Sequence, residues 1–229
     1  MPTKILVPRE KIPDFHLRSY VKLDMAFGVG AGATLFDKSR YRSHGAITTA
    51  TWAAGLHGYC LDFVAANPDL ITIPTAHTQL DFTSEDFSII ARINGDSFVA
   101  HNYLLTRGAF NARGYRFVVL AGGSLAFGTW QVAAGQLSTS LGGVIVAGNW
   151  YTVGMSRSGA SVRVYRNGVD VTNTVGVHIN PVTSPDDAYI GIHPDGASNP
   201  FDGRMEFLRV FGGVALTTSE HLAYHNALA

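Results

Sequence analysis

Short runs of β-branched and aromatic residues, separated by glycine, asparagine or proline, recur along most of the chain. Runs of this length with turn residues between them are typical of antiparallel β proteins rather than of helical ones. The pattern predicts strands over Leu23–Phe27, Tyr59–Val64, Leu70–Ile73, Phe87–Ile93, Tyr103–Thr106, Tyr115–Leu120, Leu125–Gln131, Trp150–Ser156, Val162–Arg166, Ala188–Ile192 and Met205–Phe211.

Two local motifs predict particular elements. In Val162–Arg166 the arginines alternate with valine and tyrosine, which indicates a strand with one solvated face. The following Asn167-Gly168 suits the two left-handed positions of a tight hairpin turn, after which Val169–Val171 pairs back. Near the end of the chain, Thr217-Thr218-Ser219-Glu220 has capping-box spacing and predicts a short helix that runs to Leu228.

The first 19 residues follow neither pattern. They contain Pro2, Pro8 and Pro13, and proline fixes φ and removes a backbone donor, so the segment is predicted to be an extended arm ahead of one domain, residues 20–229. A frayed terminus is the alternative. An arm that docks on a neighbouring subunit fits the apolar residues better, and the candidate interface residues are Ile5, Leu6, Val7, Ile12, Phe15 and Leu17.

Composition excludes several classes of protein. Charged residues make up 15% of the 229 residues, against roughly 25% in an average soluble protein. The 17 basic and 17 acidic side chains cancel, so nucleic acid is not an expected partner. No apolar run is long enough to span a membrane, and the first one, Ile5–Val7, is too short for a signal peptide. Cys60 is the only cysteine, which excludes an internal disulfide.

From residue 23 to about residue 226 the chain resembles the laminin G-like, concanavalin A-like jelly-roll family. The resemblance lies in landmarks that follow one another in the family's order: Leu23–Gly28, Trp52, Gly58, Leu61–Phe63, Ile71–Pro74, Trp150, the Tyr165-Arg166-Asn167-Gly168 hairpin, Ile190-Gly191 and Phe201–Met205. It implies an all-β fold, an antiparallel β-sandwich jelly roll with a short C-terminal helix and an extended N-terminal arm. Such a fold hosts many unrelated functions and does not by itself indicate one.

Some members of the family hold a structural calcium ion at a turn after the position of Asp37, where a Ser-Gly-Asn-Gly-like sequence is common. Here that turn contains Arg40 and Arg42, and calcium prefers six to eight oxygen ligands without nearby cations. Asp37 and Asp202 are the candidate calcium ligands that the resemblance implies, although no cofactor is required. The alternative is that Asp37 caps a turn and Asp202 stabilises the Phe-Asp-Gly bend.

Catalysis is not expected. Related jelly-roll glucanases use paired carboxylates, which stand about 5–5.5 Å apart in a retaining enzyme. The chain has four glutamates, and Glu206, the one within a predicted strand, has no acidic residue two positions away. There is no Gly-x-Ser-x-Gly motif either. His221 and His225 are four residues apart, but they lack the glutamate of a zinc-protease helix.

Glycan binding is one of two functions that remain. A sugar site on a β-sandwich needs an aromatic ring for C–H faces and planar polar groups for hydroxyls. The aromatic residues least used by the family core are Tyr103, Phe110, Tyr115 and Trp130. The candidate ligand-binding residues are Tyr103, Arg107, Arg113 and Trp130, with core packing or a subunit interface as the alternative for the two aromatic ones.

Assembly is the other function, and the sequence favours it. Part of a charge-poor surface is expected to be covered by neighbouring copies or other subunits. The apolar segment Ala133–Val146 fits either an interface loop or a hairpin of the second sheet. Members of the family that the chain resembles occur in secreted adhesins and in phage or viral surface proteins, and a chain without an export signal and with a docking arm fits the second setting better. The resemblance therefore implies a non-catalytic decoration subunit at a virion surface that also binds glycans. The alternative is an extracellular, lectin-like adhesion module.

Overall fold

The structure, a computed structural model, describes residues 17–131 and 134–229. These residues form strands that are joined mostly by short turns, and one helix follows the last strand. The strands are β1 (Val21–Asp24), β2 (Thr34–Leu35), β3 (Gly45–Thr48), β4 (Thr51–Ala54), β5 (Tyr59–Phe63), β6 (Leu70–Ile73), β7 (Phe87–Gly95), β8 (Asn102–Ala109), β9 (Arg113–Leu120), β10 (Ser124–Gln131), β11 (Ala134–Ser140), β12 (Trp150–Ser158), β13 (Ser161–Arg166), β14 (Val169–Asp170), β15 (Thr172–Thr174), β16 (Ala188–Ile190) and β17 (Gly203–Gly212); the helix is α1 (Thr218–Leu228).

Two antiparallel sheets pack face to face and form a β-sandwich. An eight-stranded sheet has the order β14-β13-β12-β7-β17-β5-β4, with β1 also paired to β17. A nine-stranded sheet has the order β15-β11-β10-β9-β8-β16-β6-β3-β2. Neighbours that are distant in the sequence, such as β7 and β17, show the crossovers of a jelly roll. The fold class is therefore the one that the sequence predicts.

The core lies between the sheets because alternate residues of each strand point inward. Aromatic rings occupy its centre. The Phe87 ring stacks on Phe82 with 4.2 Å between centroids and lies 5.4 Å from Tyr115 and 5.6 Å from Phe127. The Tyr115 hydroxyl donates to the Leu80 carbonyl (3.1 Å), and burial raises the pKa of Tyr115. Tyr115 is thus a core residue rather than a free aromatic.

Helix α1 covers the outer face of the eight-stranded sheet. It begins with the predicted capping box, in which Thr217 accepts from the backbone of Glu220 and Glu220 accepts from the backbone of Thr217. The His221 ring stacks on Tyr165 with 3.8 Å between centroids, and buried Tyr224 lies in one apolar cluster with Phe211. The helix therefore replaces a solvated sheet face with a second, smaller core.

Leu17 belongs to this second core, which corrects one part of the predicted arm. Its side chain is buried beside Phe211, Leu216 and Tyr224 of its own chain, so it is not available to a neighbour. Its apolar character serves the fold itself. The other candidate interface residues lie outside the described part of the chain: Ile5, Leu6, Val7, Ile12 and Phe15.

Most local predictions agree with the structure. Each predicted strand overlaps an observed one, and Asn167 and Gly168 have the left-handed φ values of 52° and 77° that the hairpin requires. Residues 134–140 form β11, so the apolar segment there is a strand of the nine-stranded sheet. The strands β2, β3, β4 and β15 were not predicted, because each is short and has no clear alternation. No helix in the described ranges is long and apolar enough to cross a membrane.

Candidate functional site

A cluster of aromatic side chains surrounds one arginine on the outer face of the nine-stranded sheet. Strands β8, β9 and β10 are adjacent there, and the residues that point away from the core include Tyr103, Arg116 and Trp130. Phe110 from the β8–β9 turn and His193 from the loop after β16 complete it. We call these five residues the Arg116 cluster.

The guanidinium of Arg116 lies among three aromatic rings. Its central carbon is 5.3 Å from the Trp130 ring centroid and 6.0 Å from the centroids of both Tyr103 and Phe110. These separations are within the range of cation–π attraction. Nη1 also donates to the Tyr103 hydroxyl at 2.9 Å. The rings therefore hold the charged group in one position at the surface.

A glycine explains why the arginine can lie flat on the sheet. Gly128 of β10 is directly opposite Arg116 in the β9–β10 ladder. A Cβ atom at Gly128 would come within 3.0 Å of Arg116 Nε and 3.2 Å of a Leu137 methyl group. The missing side chain gives the arginine stem room to cross β10 toward Trp130.

His193 joins the cluster through a tight loop. Its ring lies 5.0 Å from Tyr103 and 5.7 Å from Phe110, and its Nδ1 is 3.1 Å from Oδ2 of Asp195. Asp195 also accepts from the Ala197 and Ser198 amides and from the Ser198 hydroxyl. Burial alone would raise the pKa of Asp195, but these bonds outweigh it and hold the pKa well below its usual range.

Exposure separates the cluster into a base and an upper surface. Tyr103 and Trp130 are 2% and 1% exposed, so neither offers an open ring face to a ligand. Phe110 is 52% exposed and lies edge-on to Trp130 at 5.4 Å. The predicted pair, Tyr103 and Trp130, thus forms the base of the cluster, while Phe110 provides the accessible aromatic surface.

The two predicted arginines lie apart from this pair. Arg107 is buried and donates to the carbonyls of Thr75, His77 and Ser184, which prevents contact with a ligand and corrects its prediction as a binding residue. Arg113 forms a two-bond ion pair with Asp186 at 2.6 and 3.1 Å. Both arginines therefore fix the segment before β16.

Arg116 and His193 were not singled out from the sequence. Arg116 had a usable signal, since a basic residue between Tyr115 and Phe117 in a predicted strand must point away from the core. His193 had none, because only the crossover through β16 brings it beside strands β8 and β9.

The two candidate calcium ligands do not form one site. The carboxylate of Asp37 accepts from the amides of Asp24, Ser39 and Ser43 and from the Ser39 hydroxyl, so both of its oxygens are engaged. Asp37 lies beside Asp24, which is opposite Arg209 of β17. Asp202 comes just before the start of β17, roughly 20 Å from Arg209 at 3.3 Å per residue.

Asp37 therefore has the turn-capping role that the sequence left as the alternative. Asp202 accepts from the Ala65 amide at 3.2 Å. Within residues 17–131 and 134–229, no group of three or more His, Cys, Asp or Glu side chains could hold a metal ion. The residues present do not fit the calcium site that the resemblance implied.

Two polar groups beside the helix have structural partners. The Glu206 carboxylate lies 2.8 Å from Arg92 Nε and accepts the Leu56 amide at 2.8 Å, and its side chain is 6% exposed. Ser156 Oγ is 2.8 Å from His221 Nε2, but both residues are buried under α1, and burial lowers the pKa of His221 to about 3. This serine–histidine pair is closed to solvent.

Comparison with known proteins agrees with the architecture. The sequence model of the concanavalin A-like lectin/glucanases superfamily matches residues 67–220. The chain belongs to this superfamily. No curated protein matches it in sequence.

Several solved structures share the fold of this superfamily member. Domain 4 of AbnA, an extracellular arabinanase of family GH43 from Geobacillus stearothermophilus, was solved with arabinotriose; it is 18% identical with a TM-score of 0.69, over 89% of this chain and 97% of that domain. The binding domain of Paraclostridial Mosquitocidal Protein 1 is 12% identical with a TM-score of 0.76, over 93% of this chain and 53% of that one.

A structure of botulinum neurotoxin type C, whose cell entry depends on interaction with two ganglioside molecules, is 14% identical with a TM-score of 0.66. It is matched over 94% of this chain and 53% of its own. The present chain thus spans about half the length of these toxin structures. At such identities the likeness concerns the fold alone.

Proposed function

We propose that this domain is a non-catalytic carbohydrate-binding module and that the Arg116 cluster is its binding site. The observation that carries the proposal is the exposed ring of Phe110 beside a guanidinium that the cluster holds in place. An open aromatic ring binds the C–H face of a sugar, and planar donors bind its hydroxyls. The cluster presents both, the donor on strand β9 and the ring on the short turn that joins β8 to β9. A strand positions a side chain more rigidly than a long loop does.

The structural relatives support this proposal. The arabinanase domain was solved with arabinotriose, and the type C neurotoxin interacts with gangliosides, which are sugar-bearing lipids. The carboxylate of Glu206, the glutamate within a strand, is held in a buried ion pair with Arg92. We therefore assign no reaction to the domain and propose an extracellular or virion surface as its setting.

Removing the exposed ring tests the proposal. In a glycan-array screen followed by calorimetry, Phe110→Ala should weaken binding of the best glycan by about tenfold, because one aromatic–sugar contact is lost. Leu141→Ala removes a side chain of similar exposure, 62%, from another part of the surface and should leave binding unchanged. Absence of glycan binding by the unmodified chain, or equal binding by Phe110→Ala, would contradict the assignment.

We also propose a role in assembly, as a virion decoration subunit that contacts neighbouring copies. Apolar side chains project from the segment between β15 and β16, where Val175, Val177 and Val182 are 45%, 67% and 50% exposed. Exposed apolar side chains in one segment of a charge-poor surface favour a protein partner. The sugar site lies on the face of the sheet, so the two roles use different residues.

A further inference from the structure

We infer that the ligand of the Arg116 cluster is an acidic sugar, one that carries a carboxylate. The inference rests on the proposed function and adds the charge of the ligand to it. Its basis is that Arg116 is a surface cation without an anion. Among the other arginines of the described strands, Arg92 pairs with Glu206, Arg204 with Asp62 and Arg209 with Asp24. Among the described residues, Arg107, Arg157 and Arg166 form no ion pair within 4.0 Å, but they donate to backbone carbonyls.

Arg116 differs from all of these. Among residues 17–131 and 134–229 it forms no ion pair within 4.0 Å, and its guanidinium donates a hydrogen bond to the Tyr103 hydroxyl. Its Nε atom is buried and has no hydrogen-bond partner. A partly exposed cation that is held against three rings and forms no ion pair is more favourable when an anion completes it.

The acidic residue nearest to the cluster is already engaged, so an anion that pairs with Arg116 would come from a ligand. Asp195 is the acidic residue of the rim, but its carboxylate is engaged by His193 and by donors of its own loop. The field of Arg116 is felt nearby, because the pKa of His101 is lowered first by burial and then by the charge of Arg116. The charge of Arg116 therefore acts beyond its own contacts.

Geometry relates the two contacts that such a sugar would make. The guanidinium carbon is 6.0 Å from the Phe110 centroid, within reach of the exocyclic carboxylate of a sugar that lies on the ring. Charge-assisted bonds between a guanidinium and a carboxylate are the strong class of polar contact. Uronic and sialic acids both present this chemistry, and the experiment separates them.

Matched pairs of sugars test the inference by calorimetry. One pair is trigalacturonate and its methyl ester, in which the carboxylates are replaced by neutral ester groups; the other is 3′-sialyllactose and lactose. In at least one pair the acidic member should bind about tenfold more tightly or better. Arg116→Gln should abolish that preference, and Arg116→Lys should restore part of it because the charge returns without the planar fork.

Arg204→Gln is the matched control, since Arg204 is a half-exposed arginine of the other sheet with an acidic partner. It should keep the full preference for the acidic sugar. Circular dichroism and thermal melting would confirm that each variant is folded. The comparison of acid with neutral sugar on the unmodified protein needs no variant at all.

The possible results separate this inference from the proposed function. Equal binding of acidic and neutral sugars, or binding of neutral glycans alone, overturns the acidic ligand and leaves a carbohydrate-binding module. A preference that survives Arg116→Gln overturns the role of Arg116. Binding of no glycan by the unmodified chain overturns both proposals.

Discussion

Single glycines decide the position of the two side chains that organise the outer faces of the sandwich. Gly128 leaves room for Arg116, and Gly154 lies beneath His221, where a Cβ atom would come within 2.6 Å of the imidazole ring. In both places a backbone without a side chain lets a planar group pack directly on a strand. At both positions a Cβ atom would displace the planar side chain, so the glycine is needed for the packing.

Buried histidines connect single residues to stability. His178 lies between Thr129 Oγ1 at 3.0 Å and Ser138 Oγ at 2.8 Å. Burial first, and then the charge of Arg157, lowers the pKa of His178 to about 4. Its role is to satisfy two buried hydroxyls while it remains neutral.

This arrangement predicts a stability that falls with acidification. The unfolded chain binds a proton at His178 near pH 6.5, whereas the folded chain binds it only near pH 4, so the unfolded state holds more protons between these values. The stabilisation is fully present above pH 6.5 and is lost as the pH falls toward 4. His178 should contribute about 1.4 kcal/mol per pH unit to the free energy of unfolding in the steep part of that window.

Urea unfolding at several pH values between 5 and 7 measures this slope. His178→Gln should lower the slope by the contribution of one histidine, while His221, with its lowered pKa of about 3, keeps its own. An unchanged slope in the variant would show that His178 does not titrate as its burial implies.

At the scale of elements, helix α1 depends on its cap and on its packing. The capping box satisfies two backbone donors that a helix start leaves free. The buried face is short, since His221 and Tyr224 are its buried side chains. The helix therefore has little redundancy, and the loss of its cap should be measurable.

Thr217→Ala should reduce the free energy of unfolding by about 1 kcal/mol, because the Thr217 side chain no longer accepts from the helix backbone. Guanidinium denaturation followed by circular dichroism measures the change. Asn226→Ala is the control, since this exposed position lies inside the helix and alanine favours helix there. A loss as large in the control as in Thr217→Ala would point away from the cap.

At the scale of the whole molecule, the proposed roles use different residues. The Arg116 cluster lies on the face of the nine-stranded sheet, and the exposed valines belong to the segment between β15 and β16. A particle subunit that binds glycans needs this separation, because neighbours must not cover the sugar site. Sizing in solution tests the assembly role independently of any ligand.

Light scattering should give a larger molar mass for the full chain than for a chain that starts at residue 17. The shorter chain lacks most of the apolar arm that is predicted to contact a neighbouring subunit. The cut spares Leu17, whose side chain belongs to the core. Val177→Asp should weaken association, because it places a charge in the exposed apolar segment between β15 and β16. Monomers in every case would remove the assembly role and leave the sugar-binding one.

Local patterns determined much of this protein. Alternation in Val162–Arg166, the Asn167-Gly168 turn and the Thr217–Glu220 cap each depend on neighbouring residues, whose conformational preferences are present in the sequence itself. The fold class was also predictable, since short apolar runs separated by turn residues indicate the length of the strands and the spacing of the turns. Short edge strands such as β2 were not predicted, because two residues are too few to show an alternation of apolar and polar positions.

Tertiary structure alone decided the site. Tyr103 and Trp130 were recognised as aromatic residues outside the family core, but their burial beneath Phe110 depends on three adjacent strands and a distant loop. Arg107 and Arg116 lie in neighbouring strands and have the same chemistry. Arg107 is buried and donates to backbone carbonyls, whereas Arg116 donates to the Tyr103 hydroxyl and has no anion among the described residues. The difference arises because the whole sandwich sets the direction of each side chain and the crossover connections.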